Sequence, residues 1–284
     1  MDRSLDADAV RRLVDYVIKG GCQGIMLGGT TSEGPSMSVA MRVSIMEIAI
    51  AHTAGRATIF AGIGDTSYDH SLALADAAFA LGADAVVAQL PSYYALGPTE
   101  MECYFRAVAD RVTGPMYLYN IPQTTRMSVP LDVVERLSVH PRIVGIKDSE
   151  PDAVRQEQVV ARFAERDDFA VFCGSIAFTA AAMRAGADGF VPGVANIAPR
   201  ATREAMDRWF AGDAVGATQA FELVSSISKL YQKNRTLGES IAALKAGIEA
   251  MGLGSRYVLP PLRDCTEADV AALRGELQRE NIIP

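Results

Sequence analysis

The sequence predicts an α/β protein with a parallel sheet, followed by a helical C-terminal region. Short apolar runs recur along the first two thirds, stretches of helical periodicity separate them, and only helical patterns follow the last run. The runs begin 19 to 34 residues apart, which is the spacing of βαβ units. Since a (β/α)₈ barrel and a doubly wound sheet both repeat this unit, the pattern by itself predicts one or the other.

The predicted strands are nearly continuous apolar runs, as expected for parallel strands that are covered on both faces. In order, they are GIMLG from residue 24, TIFAGI from 58, DAVVAQL from 84, PMYLYN from 115, RIVGIK from 142, FAVFCG from 169 and DGFVPG from 188.

The predicted helices fill most of the intervals between the runs. The first follows SLDADA, in which Ser4 or Asp6 is placed to cap the helix. The helical patterns between strands cover 7–19, 39–52, 71–81, 100–112, 132–138 and 152–163. Four more, over 199–210, 214–231, 240–251 and 266–278, make up the last third. We therefore predict a barrel domain over residues 1–198 and a helical region over 199–284 that packs on it.

Seven predicted strands are one fewer than a closed eight-stranded barrel requires. The first helix begins almost at residue 1, so the absent strand would precede it. Two explanations stay open: the chain lacks its first strand, or its start is assigned at an internal methionine.

Composition and charge favour a small-molecule partner in the cytoplasm. The formal charge is −7 with scattered basic residues, which does not favour nucleic-acid binding. No apolar run has the length of a membrane span, and the N-terminus does not resemble a signal peptide. The cysteines and histidines lack metal-ligand spacing, so we expect no metal, no disulfide framework and no cofactor.

Lys147 is the leading catalytic candidate because of its position at the end of a strand. It ends the run IVGIK and shares a strand face with Gly145, whereas Val144 and Ile146 point the other way. If the helices pack on Val144 and Ile146, Lys147 points inward above a position without a side chain. Such a lysine can be a nucleophile that forms a Schiff base with a ketone. The alternative is an ordinary ion pair with Asp148 or Glu150.

Two further strand ends carry residues suited to this chemistry. Tyr119 ends the run PMYLYN, where a phenol can transfer protons; the alternative is a structural tyrosine. The segment LGGTTSEG follows the first predicted strand, and its Gly29 lets the backbone approach a ligand while Thr30 and Thr31 offer hydrogen-bond donors to an anion. A simple glycine turn is the alternative for that segment.

Taken together, these motifs resemble the dihydrodipicolinate synthase / N-acetylneuraminate lyase family of pyruvate-dependent class I aldolases. The resemblance extends from about Leu5 to the final helices. It rests on GGTTSEG, LPSYY, YNIP, GIKDS and GFVPGVAN, in this order along the chain. It implies a (β/α)₈ barrel with a C-terminal helical region and a homo-oligomer, usually a dimer of dimers.

The resemblance also implies roles for individual residues. Lys147 matches the Schiff-base lysine, and Tyr119 matches the tyrosine that passes protons to and from the substrate. Thr30 and Thr31 match the pair that relays protons and holds the pyruvyl carboxylate. Tyr94 matches a tyrosine that often reaches the site of the neighbouring subunit.

Two further positions concern the substrate. Val191 matches the residue whose carbonyl lies near the lysine. In the dihydrodipicolinate synthases an arginine two residues after YNxP binds the distal carboxylate of the aldehyde, whereas Thr124 stands there in this sequence, and Arg126 is two positions further on. A hydroxyl does not replace a bidentate guanidinium, so Thr124 favours an uncharged, hydroxylated partner.

These observations predict a lyase that acts on pyruvate and an aldehyde, or that cleaves a 2-keto-3-deoxy sugar acid. Two alternatives stay open. One is 4-hydroxy-tetrahydrodipicolinate synthase activity, and the other is a catalytically impaired homologue that binds a ligand.

Overall fold

The structure is a computed structural model that describes residues 4–280 and 282–283. Its seven strands follow the order of the chain, without the reversal that defines a doubly wound sheet. The strands are β1 (Gly24–Leu27), β2 (Thr58–Gly62), β3 (Ala85–Gln89), β4 (Met116–Asn120), β5 (Ile143–Asp148), β6 (Ala170–Cys173) and β7 (Gly189–Phe190).

Helices follow the strands throughout, and those over Ala7–Lys19 and Pro199–Phe210 have the predicted bounds. They are α1 (Ala7–Lys19), α2 (Val39–Thr53), α3 (Tyr68–Leu81), α4 (Pro98–Arg111), α5 (Pro122–Thr125), α6 (Leu131–Leu137), α7 (Ala153–Phe163), α8 (Thr179–Ala185), α9 (Pro199–Phe210), α10 (Ala214–Gln232), α11 (Leu237–Ala250) and α12 (Glu267–Arg279).

Polar side chains start most of these helices by accepting a hydrogen bond from a backbone N–H of the first turn. Asp6 caps α1 by accepting from the Ala9 N–H at 2.8 Å, as one of the two predicted alternatives. Ser38 and Ser67 do the same for α2 and α3. Thr236 begins α11 with a reciprocal pair of hydrogen bonds to Glu239, which satisfies two donors at once.

Contacts divide the chain into two compact units. The first comprises the described residues of Met1–Ala57 and Gly193–Pro284, and the second is Thr58–Pro192. The predicted domain boundary between residues 198 and 199 is based on a different property, the point at which the alternation of strands and helices gives way to helices alone. That boundary stays a prediction.

The second unit contains the parallel strands β2 to β7, each paired in parallel register with the next. An aromatic cluster lies on one face of these strands. The rings of Phe60 and Tyr117 are 5.4 Å apart, and those of Tyr117 and Phe172 are 5.7 Å apart. Large apolar side chains on the opposite face, such as Leu118 and Ile146, are fully buried. Both faces are therefore covered, as the continuous apolar runs predict.

The first unit contains β1, the helices α1 and α2 and the helical C-terminal region α9–α12. The Tyr16 hydroxyl on α1 donates to the Ile197 carbonyl at 2.9 Å. Close contact also requires a glycine at position 20, because a Cβ there would lie 2.4 Å from Pro199. The start of the C-terminal region is thus packed directly on the first helix.

The structure confirms the α/β class with parallel strands and a C-terminal helical region. Among the described residues no strand precedes α1, and the absence of a first barrel strand stays a prediction. Differences from the predicted elements include β7, α5 and α8. Strand β7 has only two residues, although the Val191 N–H continues its pairing with β6. Helix α8 has an alanine-rich sequence without a polar face, so its periodicity is weak.

Across the described part of the chain, every helix is too short or too polar to cross a bilayer.

Candidate active site

Lys147 and Tyr119 lie side by side near the carboxyl ends of two adjacent strands. The register of β4 and β5 pairs these two residues directly. The Lys147 Nζ lies 4.3 Å from the centroid of the Tyr119 ring, within the range of a cation–π contact. Tyr119 is buried, whereas Lys147 is half-buried and remains reachable. The structure thus brings the predicted nucleophile and the predicted proton carrier together.

Gly145 is two residues before Lys147 on β5 and lies on the same face of the strand. Neighbouring atoms fill the space that a side chain at Gly145 would occupy. A Cβ there would lie 2.4 Å from the Ala170 carbonyl oxygen and 2.5 Å from the ring of Tyr117. The position beneath the lysine is therefore occupied by an aromatic ring rather than empty. This packing supports the lysine from below.

Gly174 provides a second close approach to Lys147. It follows β6, and a Cβ there would lie 1.8 Å from the Ser149 Oγ and 3.1 Å from the Lys147 Cε. The Ser149 side chain therefore lies within the space next to the lysine stem. Sequence reasoning did not identify Ser149 or Gly174, because nothing in FCGS or KDSE marks them as neighbours.

Asp148 is the centre of a buried polar network at the end of β5. Its carboxylate is fully buried and accepts hydrogen bonds from Asn120 Nδ2 at 3.1 Å and Gln156 Nε2 at 3.2 Å. It also pairs with Arg155 Nε at 3.0 Å and accepts from the Glu150 N–H at 2.9 Å. Burial raises the pKa of Asp148, and the Arg155 guanidinium opposes that shift. These donors satisfy the carboxylate that immediately follows Lys147.

Asn120 connects this network to the loop that carries Thr124. The Asn120 Oδ1 accepts from the Val129 N–H at 3.1 Å, so it closes the loop between β4 and α6. Within that loop the Thr124 hydroxyl lies 3.3 Å from the Ile121 carbonyl, and Thr124 is half-buried on α5. Arg126 lies beyond the end of α5, where it is exposed and has a left-handed backbone.

Two other predicted residues lie elsewhere in the second unit. Val191 is half-buried, and its N–H donates to the Cys173 carbonyl at 2.9 Å, which extends the pairing of β6 and β7. Tyr94 lies in the segment between β3 and α4 and is 71% exposed. Its ring packs edge to face on Tyr93 at 5.0 Å.

The remaining predicted residues, Gly29, Thr30 and Thr31, lie in a tight loop of the first unit after β1. Gly29 is buried, Thr30 half-buried and Thr31 exposed. The Gly29 carbonyl accepts from the N–H groups of Ser32 and Gly34 at 3.1 and 3.2 Å. A Cβ on Gly34 would lie 2.1 Å from the Gly28 carbonyl oxygen, so the turn requires glycine at that position. These hydrogen bonds and the close approach at Gly34 make the loop compact.

Glu33 and Lys245 form an ion pair that sequence reasoning missed. Lys245 lies within the predicted helical pattern over 240–251, and its Nζ donates to Glu33 Oε1 at 2.6 Å. Glu33 is buried and has a left-handed backbone with φ of 59°, a conformation that costs a non-glycine residue about 1–2 kcal/mol.

The sequence of the chain is similar to a known protein family and to several of its members. The chain matches the dihydrodipicolinate synthetase family over residues 1–280. It is 34% identical to 4-hydroxy-tetrahydrodipicolinate synthase 1 of Streptomyces coelicolor, covering 96% of this chain and 89% of the relative. It is 30% identical to the probable 2-dehydro-3-deoxy-D-pentonate aldolase YjhH of Escherichia coli K12, covering 100% of this chain and 94% of the relative.

A solved structure gives the same result at the level of the fold. YagE, a prophage protein of the dihydrodipicolinic acid synthase family from E. coli K12 in complex with pyruvate, superposes with a TM-score of 0.92. The sequences are 27% identical, and the match covers 99% of this chain and 94% of YagE. These findings confirm the predicted family, and with it the predicted class and function, a pyruvate-dependent class I lyase. The chain belongs to the dihydrodipicolinate synthetase family.

Proposed function

We propose that Lys147 forms a Schiff base with pyruvate or another 2-keto acid and that the resulting enamine makes or breaks a carbon–carbon bond. The observation that carries this proposal is the Lys147 nitrogen at 4.3 Å from the Tyr119 ring, on strands paired in register. A half-buried amine beside a phenol provides a nucleophile and a proton carrier in one place.

The proposed reaction begins with attack of the neutral Lys147 amine on the keto carbon of pyruvate. Proton transfers convert the carbonyl oxygen into water, which leaves as the iminium forms. Tyr119, having given a proton to the departing water, takes one from the methyl carbon, and the carbon of the resulting enamine attacks the aldehyde carbon. Tyr119 supplies the proton to the new alkoxide, and hydrolysis of the iminium restores the lysine. Cleavage of a 2-keto-3-deoxy sugar acid is the same sequence reversed.

The other predicted residues have binding roles in this proposal. Gly29, Thr30 and Thr31 hold the carboxylate of the keto acid, since backbone N–H groups and hydroxyls of a tight glycine loop suit an anion. Thr30 also passes protons together with Tyr94. In the same proposal we expect the carbonyl of Val191 to lie near the lysine and Thr124 to face the aldehyde.

Reductive trapping tests the Schiff base directly. The protein is incubated with pyruvate and borohydride, digested, and analysed by mass spectrometry. We expect the mass of one reduced pyruvyl group on the peptide that contains Lys147, and on no other lysine peptide. Absence of that added mass would overturn the proposal. Binding of pyruvate without trapping or turnover would instead favour the impaired homologue.

The substrate class follows from Thr124. We propose that the aldehyde partner is uncharged and hydroxylated, as in the cleavage of a 2-keto-3-deoxy sugar acid, since a hydroxyl cannot replace a bidentate arginine. The 30% identity to an aldolase named for a deoxypentonate supports this choice. The 34% identity to a 4-hydroxy-tetrahydrodipicolinate synthase favours the alternative, with aspartate semialdehyde as partner.

A panel of aldehydes separates these substrates. We expect kcat/KM for condensation of pyruvate with glycolaldehyde or glyceraldehyde to exceed that for aspartate semialdehyde by about tenfold or more, the scale of one charge-assisted hydrogen bond. Equal or greater turnover of aspartate semialdehyde would reverse the assignment and identify a synthase.

The finer architecture, assembly and location are also proposals. We infer that the strands belong to a (β/α)₈ barrel over residues 1–198, followed by a helical region over 199–284. A homo-oligomer is supported by the exposed pair Tyr93 and Tyr94, because adjacent exposed aromatic rings are typical of interfaces.

A cytoplasmic location is supported by four cysteines that form no disulfide.

A further inference from the structure

Glu33 binds two partners that come from the C-terminal region. Its Oε1 accepts from Lys245 Nζ on α11 at 2.6 Å, and its Oε2 accepts from the Leu259 N–H at 2.7 Å. Glu33 is only 7% exposed, so both hydrogen bonds are largely shielded from water. Because this carboxylate joins the loop after β1 to two segments that lie more than 200 residues further along the chain, the two hydrogen bonds fix where that loop lies within the first unit.

The backbone of Glu33 is tied to the threonine pair. Its N–H donates to the Thr30 carbonyl at 3.1 Å, and the Gly34 N–H donates to the Gly29 carbonyl at 3.2 Å. On its far side, Thr31 lies close to Gly193, where a Cβ would be 3.3 Å from the Thr31 Oγ1. The backbone position of Glu33 is therefore coupled to the loop that carries both threonines.

Helix α11 is a rigid support for Lys245. Every residue from Ser240 to Ile248 except Lys245 is buried, and the Thr236–Glu239 pair caps the start of the helix. The lysine side chain is 27% exposed, so it extends from a packed helix toward the carboxylate. A donor on a rigid helix that binds one buried acceptor restricts the positions available to a loop more than a mobile pair at the surface does.

We propose that Glu33 and Lys245 are positioning residues that hold Thr30 and Thr31 in the geometry that binds the carboxylate of the keto acid. The pair acts through the threonines and does not touch the substrate. The inference rests on the proposed function, in which Thr30 and Thr31 bind that carboxylate.

Trapping kinetics test the positioning role without an aldehyde. In Lys245→Met we expect the pyruvate concentration that half-saturates borohydride trapping to rise about tenfold, as for loss of one hydrogen bond to a charged group. The limiting rate of trapping at saturating pyruvate stays within about twofold of the original protein, because Lys147 is unchanged. A merely structural pair would lower the thermal midpoint without moving the half-saturating concentration.

Matched variants isolate the pair. Lys229→Met removes an exposed lysine of α10 and should leave pyruvate affinity unchanged, while Lys245→Arg should restore most of it. Glu33→Gln keeps the size of the side chain and should weaken pyruvate binding by a similar factor. Since the two residues act as one unit, the double variant should show no further loss.

Two results would overturn the inference. One is wild-type half-saturation in folded Lys245→Met or Glu33→Gln, and the other is full additivity of the two substitutions. If Lys245→Met does not fold, Glu33→Gln decides the matter alone. Failure of the original protein to be trapped at all would contradict the proposed function instead, so the two failures are distinguishable.

Discussion

Replacement of Lys147 by arginine is expected to abolish trapping by pyruvate and to lower turnover by a factor of about 10³ or more, as the loss of a covalent nucleophile does in other enzymes. Arginine keeps the positive charge and much of the length, but its guanidinium stays protonated and cannot form a Schiff base. The contact with the Tyr119 ring at 4.3 Å is compatible with either cation. Folding should therefore be preserved while the chemistry is lost.

The matched control is Lys229→Arg, on the exposed face of α10. It should keep full turnover and full trapping. Circular dichroism and the thermal midpoint of both variants show whether they are folded. If Lys147→Arg kept more than about a tenth of the original turnover, the assignment of Lys147 would be contradicted. An enzyme that loses its covalent nucleophile loses far more of its turnover than that.

Replacement of Asp148 by alanine is expected to lower the free energy of unfolding by about 3–5 kcal/mol, the usual cost of breaking a buried ion pair on one side. The Asp148 carboxylate is fully buried, and the Arg155 side chain is only 10% exposed. Without the carboxylate, the guanidinium and the amides of Asn120 and Gln156 lose an acceptor that they share. Urea unfolding followed by circular dichroism measures the change.

Asp132→Ala is the matched control, because Asp132 pairs with Arg136 at 2.8 Å but both side chains are about half exposed or more. It should cause a far smaller loss, as expected for a surface pair. The double variant Asp148→Ala, Arg155→Met should recover part of the loss, since it removes both charges. Equal stability of Asp148→Ala and the original protein would show that the network is not a structural element.

Trapping by pyruvate gives Asp148→Ala a second readout. Asp148 follows Lys147 directly, and Asn120 follows Tyr119, so the network fixes the ends of the two strands that carry the proposed catalytic side chains. Weaker trapping at a temperature where the variant is folded would indicate that the network also positions the lysine.

Much of the fold could be predicted because the signals are local. The apolar runs and helical periods in the sequence correspond to all seven strands and to most of the helices, and α1 and α9 have the predicted bounds. Periodicity depends only on residues within one element. Helix α8 was missed because its alanine-rich sequence has no apolar stripe, and α5 because four residues are too few for a period.

Residues of the candidate site could be predicted only where a reactive residue type stands at the end of an apolar strand. Lys147 and Tyr119 stand at strand ends, and the structure places them together. The supporting residues are common types whose roles depend on distant partners. Ser149 packs against Gly174, and Glu33 pairs with a lysine 212 positions away. Lys245 looks like a surface residue until helix α11 is seen to be buried around it.

By itself, then, the sequence determined the alternation of strands and helices, the family resemblance and the choice of Lys147 as nucleophile, because each depends on short-range pattern. Only the tertiary structure decided what surrounds that lysine and what holds the threonine loop. The buried carboxylates of Asp148 and Glu33 acquire their partners through space. The free energy of such pairs depends on burial and distance, which are established only when the chain has folded.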